Sequence, residues 1–269
     1  MPVTDLAATR ARDHDRLTAA VRDAGALARK SFGQQFKSWI KDGNSPVSEV
    51  DIAVNELLRV RLLAGSEDGW LSEESENEPS RLSKNRVGVV DPIDGTRAYI
   101  AGRADWSISA ALVEDGRPTV AAGFAPVSDE MFIAVAGEGA TRNGVRIAVR
   151  PKAGLDGALT AGPKRLLEWI ATNRPGLVAV PRIHSLALRM VRVAHGEIDA
   201  AIAGGNSHDW DLAAADLLVH EAGGMLTSLD GEPLTYNRPN PVHNVLVATG
   251  RERHSALLEI VRAQHNSSA

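Results

Sequence analysis

Cysteine is absent from this chain of 269 residues, and that one absence removes disulfides, thiolate metal sites and a cysteine nucleophile together. Any metal must therefore be held by oxygen or imidazole. No block of one charge is present either, because 30 Lys and Arg against 34 Asp and Glu leave a formal charge of −4 with the cations dispersed. That pattern argues against nucleic acid as a partner and leaves a small molecule as the expected ligand. Long apolar runs are also missing. Residues 1–16 mix Asp, Arg and His with Ala and Leu, which gives neither a secretory signal nor a membrane span. No membrane association and a cytoplasmic location are expected.

What is present is 43% hydrophobic residues, enough to bury a full core in one large domain or two closely joined ones. Leu17, Val21, Ala24, Leu27 and Ala28 recur at helical spacing and predict a helix from Asp13 to Ser31, stopped by Gly33. Ser48 followed three residues later by Asp51 is a capping-box pattern opening a second helix through Val54, Leu57, Leu58 and Leu62. Val87 to Val90 reads as a buried strand that ends at Asp91 and Pro92. From Trp106 to Val149, short β-like runs broken by turn residues predict an antiparallel meander. After Pro151 the rhythm changes. Strands at Ala158 to Ala161, near Leu177 and at Ile198 to Ile202 alternate with helices from Pro163, Ser185 and Asp211. The expectation is an α/β protein with an α+β half over 1–150 and an α/β half over 151–269, joined between Arg150 and Gly157.

The densest chemical signal is the run Asp91, Pro92, Ile93, Asp94, Gly95, Thr96. Two carboxylates on a bend can converge on cations; Pro92 keeps Asp91 extended and Gly95 permits close backbone approach. A helix starting at Thr96 would place free amides beside those carboxylates, so that metal and phosphate meet. The same residues would also serve as a plain turn with Asp94 or Thr96 as a helix cap. Glu73 and Glu74 after Leu71, and Asp211 before an alanine run, read alone as a solvated pair and an N-cap. Taken together, hard oxygen donors from three segments fit magnesium better than zinc.

With Ser72-Glu73-Glu74, Asp91 to Thr96, and Trp210-Asp211 through Glu221-Ala222-Gly223-Gly224, the chain resembles the inositol monophosphatase family of lithium-sensitive, magnesium-dependent phosphatases. The resemblance implies a layered αβαβα sandwich, a possible homodimer, and two or three Mg²⁺ ions held by Glu73, Asp91, the Ile93 carbonyl, Asp94 and Asp211. It further implies that Asp94, Gly95 and Thr96 contact phosphate, and that Asp51 and Thr96, with Glu73 adjacent, orient the attacking water. Departures from the family pattern bear on the substrate. Thr96 is followed by Arg97 and Ala98 instead of Asn and Phe, and Gly204 stands where members acting on inositol phosphates carry Glu. Lys164, Arg165, Arg182, His184 and Arg189 form a basic set suited to a second phosphate, their alternative being ordinary surface charges. Arg97 and the run Asn206 to Asp211 resemble the bacterial 3'(2'),5'-bisphosphate nucleotidase branch, whereas Ile100 to Arg103 resembles histidinol-phosphate phosphatases. The nucleotidase is preferred, with inositol-1-monophosphatase as an alternative. A binding module without turnover is the contrasting class, disfavoured because a binder needs no water-orienting pair.

Overall fold

The computed structural model describes residues 3–41, 45–151, 154–174 and 176–268, so positions 152 and 153 of the expected junction lie outside it. The chain opens with α1 (Val3–Ser31), a hairpin of β1 (Ser38–Lys41) and β2 (Ser45–Ser48), and α2 (Glu49–Leu63). Then come β3 (Gly69–Ser72), β4 (Arg86–Asp94) and the short α3 (Thr96–Ile100). Strands β5 (Ser107–Glu114), β6 (Arg117–Ala125), β7 (Glu130–Val135), β8 (Gly139–Arg142) and β9 (Val145–Arg146) form the meander. The remainder is β10 (Leu159–Ala161), α4 (Lys164–Asn173), β11 (Val178–Ala179), α5 (Leu186–Ala194), β12 (Ala200–Ala203) and β13 (Ser207–His208). It closes with α6 (Asp209–Glu221), β14 (Gly224–Ser228), β15 (Val242–His243), β16 (Leu246–Gly250) and α7 (Arg251–Ser268).

These elements stack in five layers. α1 and α2 cover one face of a seven-stranded sheet of order β3-β4-β5-β6-β7-β8-β9. α5 and α6 fill the space between that sheet and a five-stranded one of order β11-β10-β12-β16-β14, whose far face is covered by α4 and α7. The result is the αβαβα sandwich. Helix α6 is buried on nearly all sides, and its sequence permits this: Ala213, Ala214 and Ala215 lie fully or almost fully buried against the small residues of β5 and β6. Leu17, Val21, Ala24 and Ala28 of α1 are buried as their spacing predicted, but the helix reaches back to Val3 because residues 3–12 contain no Pro or Gly to stop it. Among the described residues no helix is long and apolar enough to cross a membrane.

An ion-paired node centred on Glu130 ties the middle layer to the first sheet. Glu130 of β7 accepts from both terminal nitrogens of Arg192 on α5, at 2.9 and 2.6 Å, from Ser128 Oγ at 2.7 Å and from Arg142 of β8 at 3.2 Å. Burial raises the Glu130 carboxyl, but the hydrogen bonds and charges of Arg192, Ser128 and Arg142 outweigh it and hold it at about 2. A carboxyl with a depressed folded-state pKa stabilises the fold at neutral pH, and loses that contribution as pH falls from 4.5 to about 2. Glu130→Gln should therefore lower unfolding free energy at pH 7 by roughly 2–3 kcal/mol. Urea titrations at pH 7 and pH 3 check this, the gap from wild type narrowing at the lower pH.

Candidate active site

Parallel pairing of β3 with β4 sets Ser72 opposite Val90, so Glu73 and Asp91 emerge from the same end of neighbouring strands, with the Glu73 N–H donating to the Val90 carbonyl at 3.3 Å. On its other side β4 pairs with β5 at Asp91 and again at Asp94, with a bulge between. Pro92 lies in that bulge, where its missing N–H leaves no ladder bond broken. The strand thus runs beyond the end expected at Asp91 and Pro92, to Asp94, and carries both aspartates. Gly95 follows with φ 92°, and a Cβ there would come within 3.1 Å of the Ser185 nitrogen and 3.2 Å of the Asp105 carbonyl oxygen. Only glycine fits.

One carboxylate oxygen from each of Asp91, Asp94 and Asp211 falls within 4.8 Å of the others. Each of these side chains is held from behind. Asp91 accepts from the Ile93 N–H at 3.1 Å. Asp94 accepts from Ser185 Oγ at 2.5 Å and from the N–H groups of Ala187 at 2.6 Å and Leu186 at 3.1 Å. Ser185 in turn caps α5. Asp211 accepts from the His208 N–H at 2.6 Å; it is not the N-cap but the third residue of α6, because the helix starts two residues earlier with His208 as its cap.

Burial, and then the mutual repulsion of the acids, raises Asp91 and Asp211 well above the usual carboxylate range, and burial takes Asp94 to about 6. Among the described residues no Lys or Arg forms an ion pair with any of the three. Buried like charges without a counter-ion are costly, and three oxygen donors in one cluster are what a hard divalent cation needs. The residues present fit such an ion. The Ile93 carbonyl lies 3.0 Å from Thr96 Oγ1 as an alternative acceptor for the one hydroxyl proton that Asp51 Oδ1 also faces, and keeps a lone pair for a cation. Glu73 lies in the same cleft but outside the close cluster, its carboxylate 3.4 Å from Lys41 Nζ, which also bonds Glu74 at 2.5 Å.

Asp51 caps α2 and also touches Thr96. Its Oδ2 accepts from the Ser48 N–H at 2.9 Å and Ser48 Oγ at 2.5 Å, completing the capping box, while Oδ1 accepts from Thr96 Oγ1 at 3.1 Å. Burial raises its pKa to about 6.

The basic set separates. Arg182 and His184 line the cleft together with Arg97. Lys164 does not: its side chain is 89% exposed and pairs with Glu168, and neighbouring Arg165 is also exposed, because α4 lies on the outer layer against α7. Arg189 is a structural clamp, its guanidinium donating to the carbonyls of Ile183 and Ile202. Ser185 and Asp105 were missing from the sequence-derived site; the first is visible only as a helix cap, and nothing local marks the second.

A five-layered sandwich whose buried acids converge at the ends of neighbouring strands, beside a glycine held against the opposite wall, defines a metal-dependent hydrolase. The chain belongs to the inositol monophosphatase family, whose profile matches residues 12–266, and it is a phosphoric monoester hydrolase. It is 32% identical over 225 residues to a 3'-phosphoadenosine 5'-phosphate phosphatase of Mycobacterium leprae, covering 79% of this chain and 80% of that one. It is 35% identical over 238 residues to a histidinol-phosphatase of Mycobacterium tuberculosis, covering 81% and 89%. The IMPase of Thermotoga maritima superposes with a TM-score of 0.81 at 25% identity, over 94% of this chain and 97% of the other.

Proposed function

We propose that this chain hydrolyses a 3'(2'),5'-bisphosphate nucleotide, using magnesium held by Glu73, Asp91, the Ile93 carbonyl, Asp94 and Asp211, with two or three ions bound. The observation that carries the substrate assignment is the pairing of an acidic floor with Arg97 and Arg182 in one cleft. A remote phosphate suits such cations, and Gly204 offers no carboxylate to a polyol ring. When bound, the cation supplies Lewis acidity, acidifying water and offsetting phosphoryl charge. The chain's own residues set the geometry. With its proton directed to Asp51, Thr96 Oγ1 presents a lone pair that accepts from the attacking water and fixes its approach. Gly95 and Thr96 offer backbone amides to the phosphate, and Asp94 is kept in place by Ser185 and the start of α5.

Likeness to the histidinol-phosphatase of Mycobacterium tuberculosis supports a second reading, histidinol phosphate as substrate. Its cationic leaving group would face Arg182, which disfavours it. A comparison of kcat/KM for 3'-phosphoadenosine 5'-phosphate, histidinol phosphate and inositol 1-phosphate tests the ranking. Arg182→Ala should reduce the bisphosphate rate at least about tenfold more than that of a simple monoester, since remote binding energy is used at the reacting centre. Lys164→Ala with Arg165→Ala should change neither, given their exposure. Preference for inositol 1-phosphate would overturn the assignment.

A further inference from the structure

Deepening that reading, we propose that His184, its Nδ1–H held by Asp105, acts as an imidazolium and donates its Nε2 proton to the oxygen that leaves phosphorus. Asp105 Oδ2 accepts from the His184 backbone N–H at 2.8 Å and lies 2.6 Å from its Nδ1, while Oδ1 accepts from Arg103 Nε at 3.2 Å. Such a carboxylate only accepts, so Nδ1 carries the hydrogen. Among the described residues Nε2 makes no hydrogen bond, and His184 lines the cleft that holds Asp91, Asp94, Thr96 and Asp211. Imidazole with one nitrogen fixed by a carboxylate and the other open to a reaction site is the arrangement of a proton-transfer group.

Placement agrees with this role. The Ser185 N–H donates to the Asp105 carbonyl at 3.2 Å, and both atoms press on Gly95, so the pair is fixed against the segment that carries Asp94 and Thr96. Asp51 reaches that segment from α2 in the first half of the chain, and His184 from the loop before α5 in the second. In-line displacement needs the attacking and departing oxygens on opposite sides of phosphorus, and these two groups come from separate elements that meet the Gly95 segment. In the step, the water oxygen forms the new bond to phosphorus as the ester P–O bond breaks and its electron pair stays on the departing oxygen. Nε2–H of the imidazolium gives that oxygen a proton. The water releases one proton to solvent and the imidazole regains one from solvent, so ester plus water yields alcohol plus inorganic phosphate.

The test compares an alkyl monoester, which needs a proton to leave, with 4-nitrophenyl phosphate, which does not. With magnesium present, His184→Gln should lose on the order of 10²–10³ in kcat/KM on the alkyl ester and less than about tenfold on the aryl ester. Asp105→Asn should show the same imbalance at smaller size, and serves if the first variant fails to fold. Nitrogen-15 NMR should show the His184 proton on Nδ1 in wild type and its loss of preference in Asp105→Asn. Equal losses on both esters, or none, would overturn the inference while leaving the proposed hydrolysis intact. No phosphate release by wild type from either ester would overturn the function and this role together.

Discussion

Asp91→Asn should reduce phosphate release on the order of 10³-fold and at the same time raise the melting temperature of the metal-free protein. Both outcomes come from one carboxylate. Asp91 is 1% exposed, pushed up by burial and then by the charges of Glu73, Asp94 and Asp211. Its charge is unfavourable without a cation and required with one. Asparagine keeps an oxygen to accept from the Ile93 N–H, so the bulge is preserved while the repulsion is relieved. For a chain of this size, each kcal/mol of relief raises the melting temperature by about 2–4 °C. Thermal unfolding in chelator and in magnesium measures it: the variant should melt higher than wild type in chelator and gain less from magnesium. A metal-free variant that melts lower, or one with wild-type turnover, would remove Asp91 from the metal assignment.

The second large effect is expected at Thr96 and Asp51, which should behave as a unit. Thr96→Ala removes the hydroxyl between Asp51 Oδ1 and the Ile93 carbonyl, and kcat should drop about 10²-fold with KM and the magnesium midpoint little changed. Asp51→Asn should drop it comparably. It should also weaken α2, because its amide would replace one of the oxygens now accepting from Ser48 and Thr96; loss of such a cap is worth about 1 kcal/mol. The double variant should be no more than a few-fold slower than the slower single one, since residues acting on the same water are not additive. Multiplicative losses in single-turnover measurements would show that the two do not share one water.

Much of the site was readable because its signals are local. Asp91 to Thr96 is contiguous, Pro92 and Gly95 announce the backbone they need, and the Ser48 and Asp51 spacing describes a cap that is formed as written. Glu73 and Asp211 carried no such local mark: read alone they were a solvated pair and an N-cap, and they entered the candidate site only when combined with the Asp91 run and through family likeness. Arg189 shows the opposite case, a cation in a suggestive stretch whose hydrogen bonds go to two backbone carbonyls. The β1–β2 hairpin also escaped notice, since Ser38 to Lys41 is largely exposed and shows no alternation.

The sequence by itself determined most of the helices, the meander, the oxygen-only donor set and the backbone of the Asp91 to Thr96 run, because each depends on chemistry within a few residues. Tertiary structure decided which distant groups share the cleft. Parallel register between β3 and β4 put Glu73 beside Asp91, the packing of α4 against α7 sent Lys164 and Arg165 outward, and the loop before α5 brought His184 to Asp105, 79 residues away. Long side chains at helix starts look alike in sequence, and only the layer in which the helix packs determines whether they meet solvent or substrate.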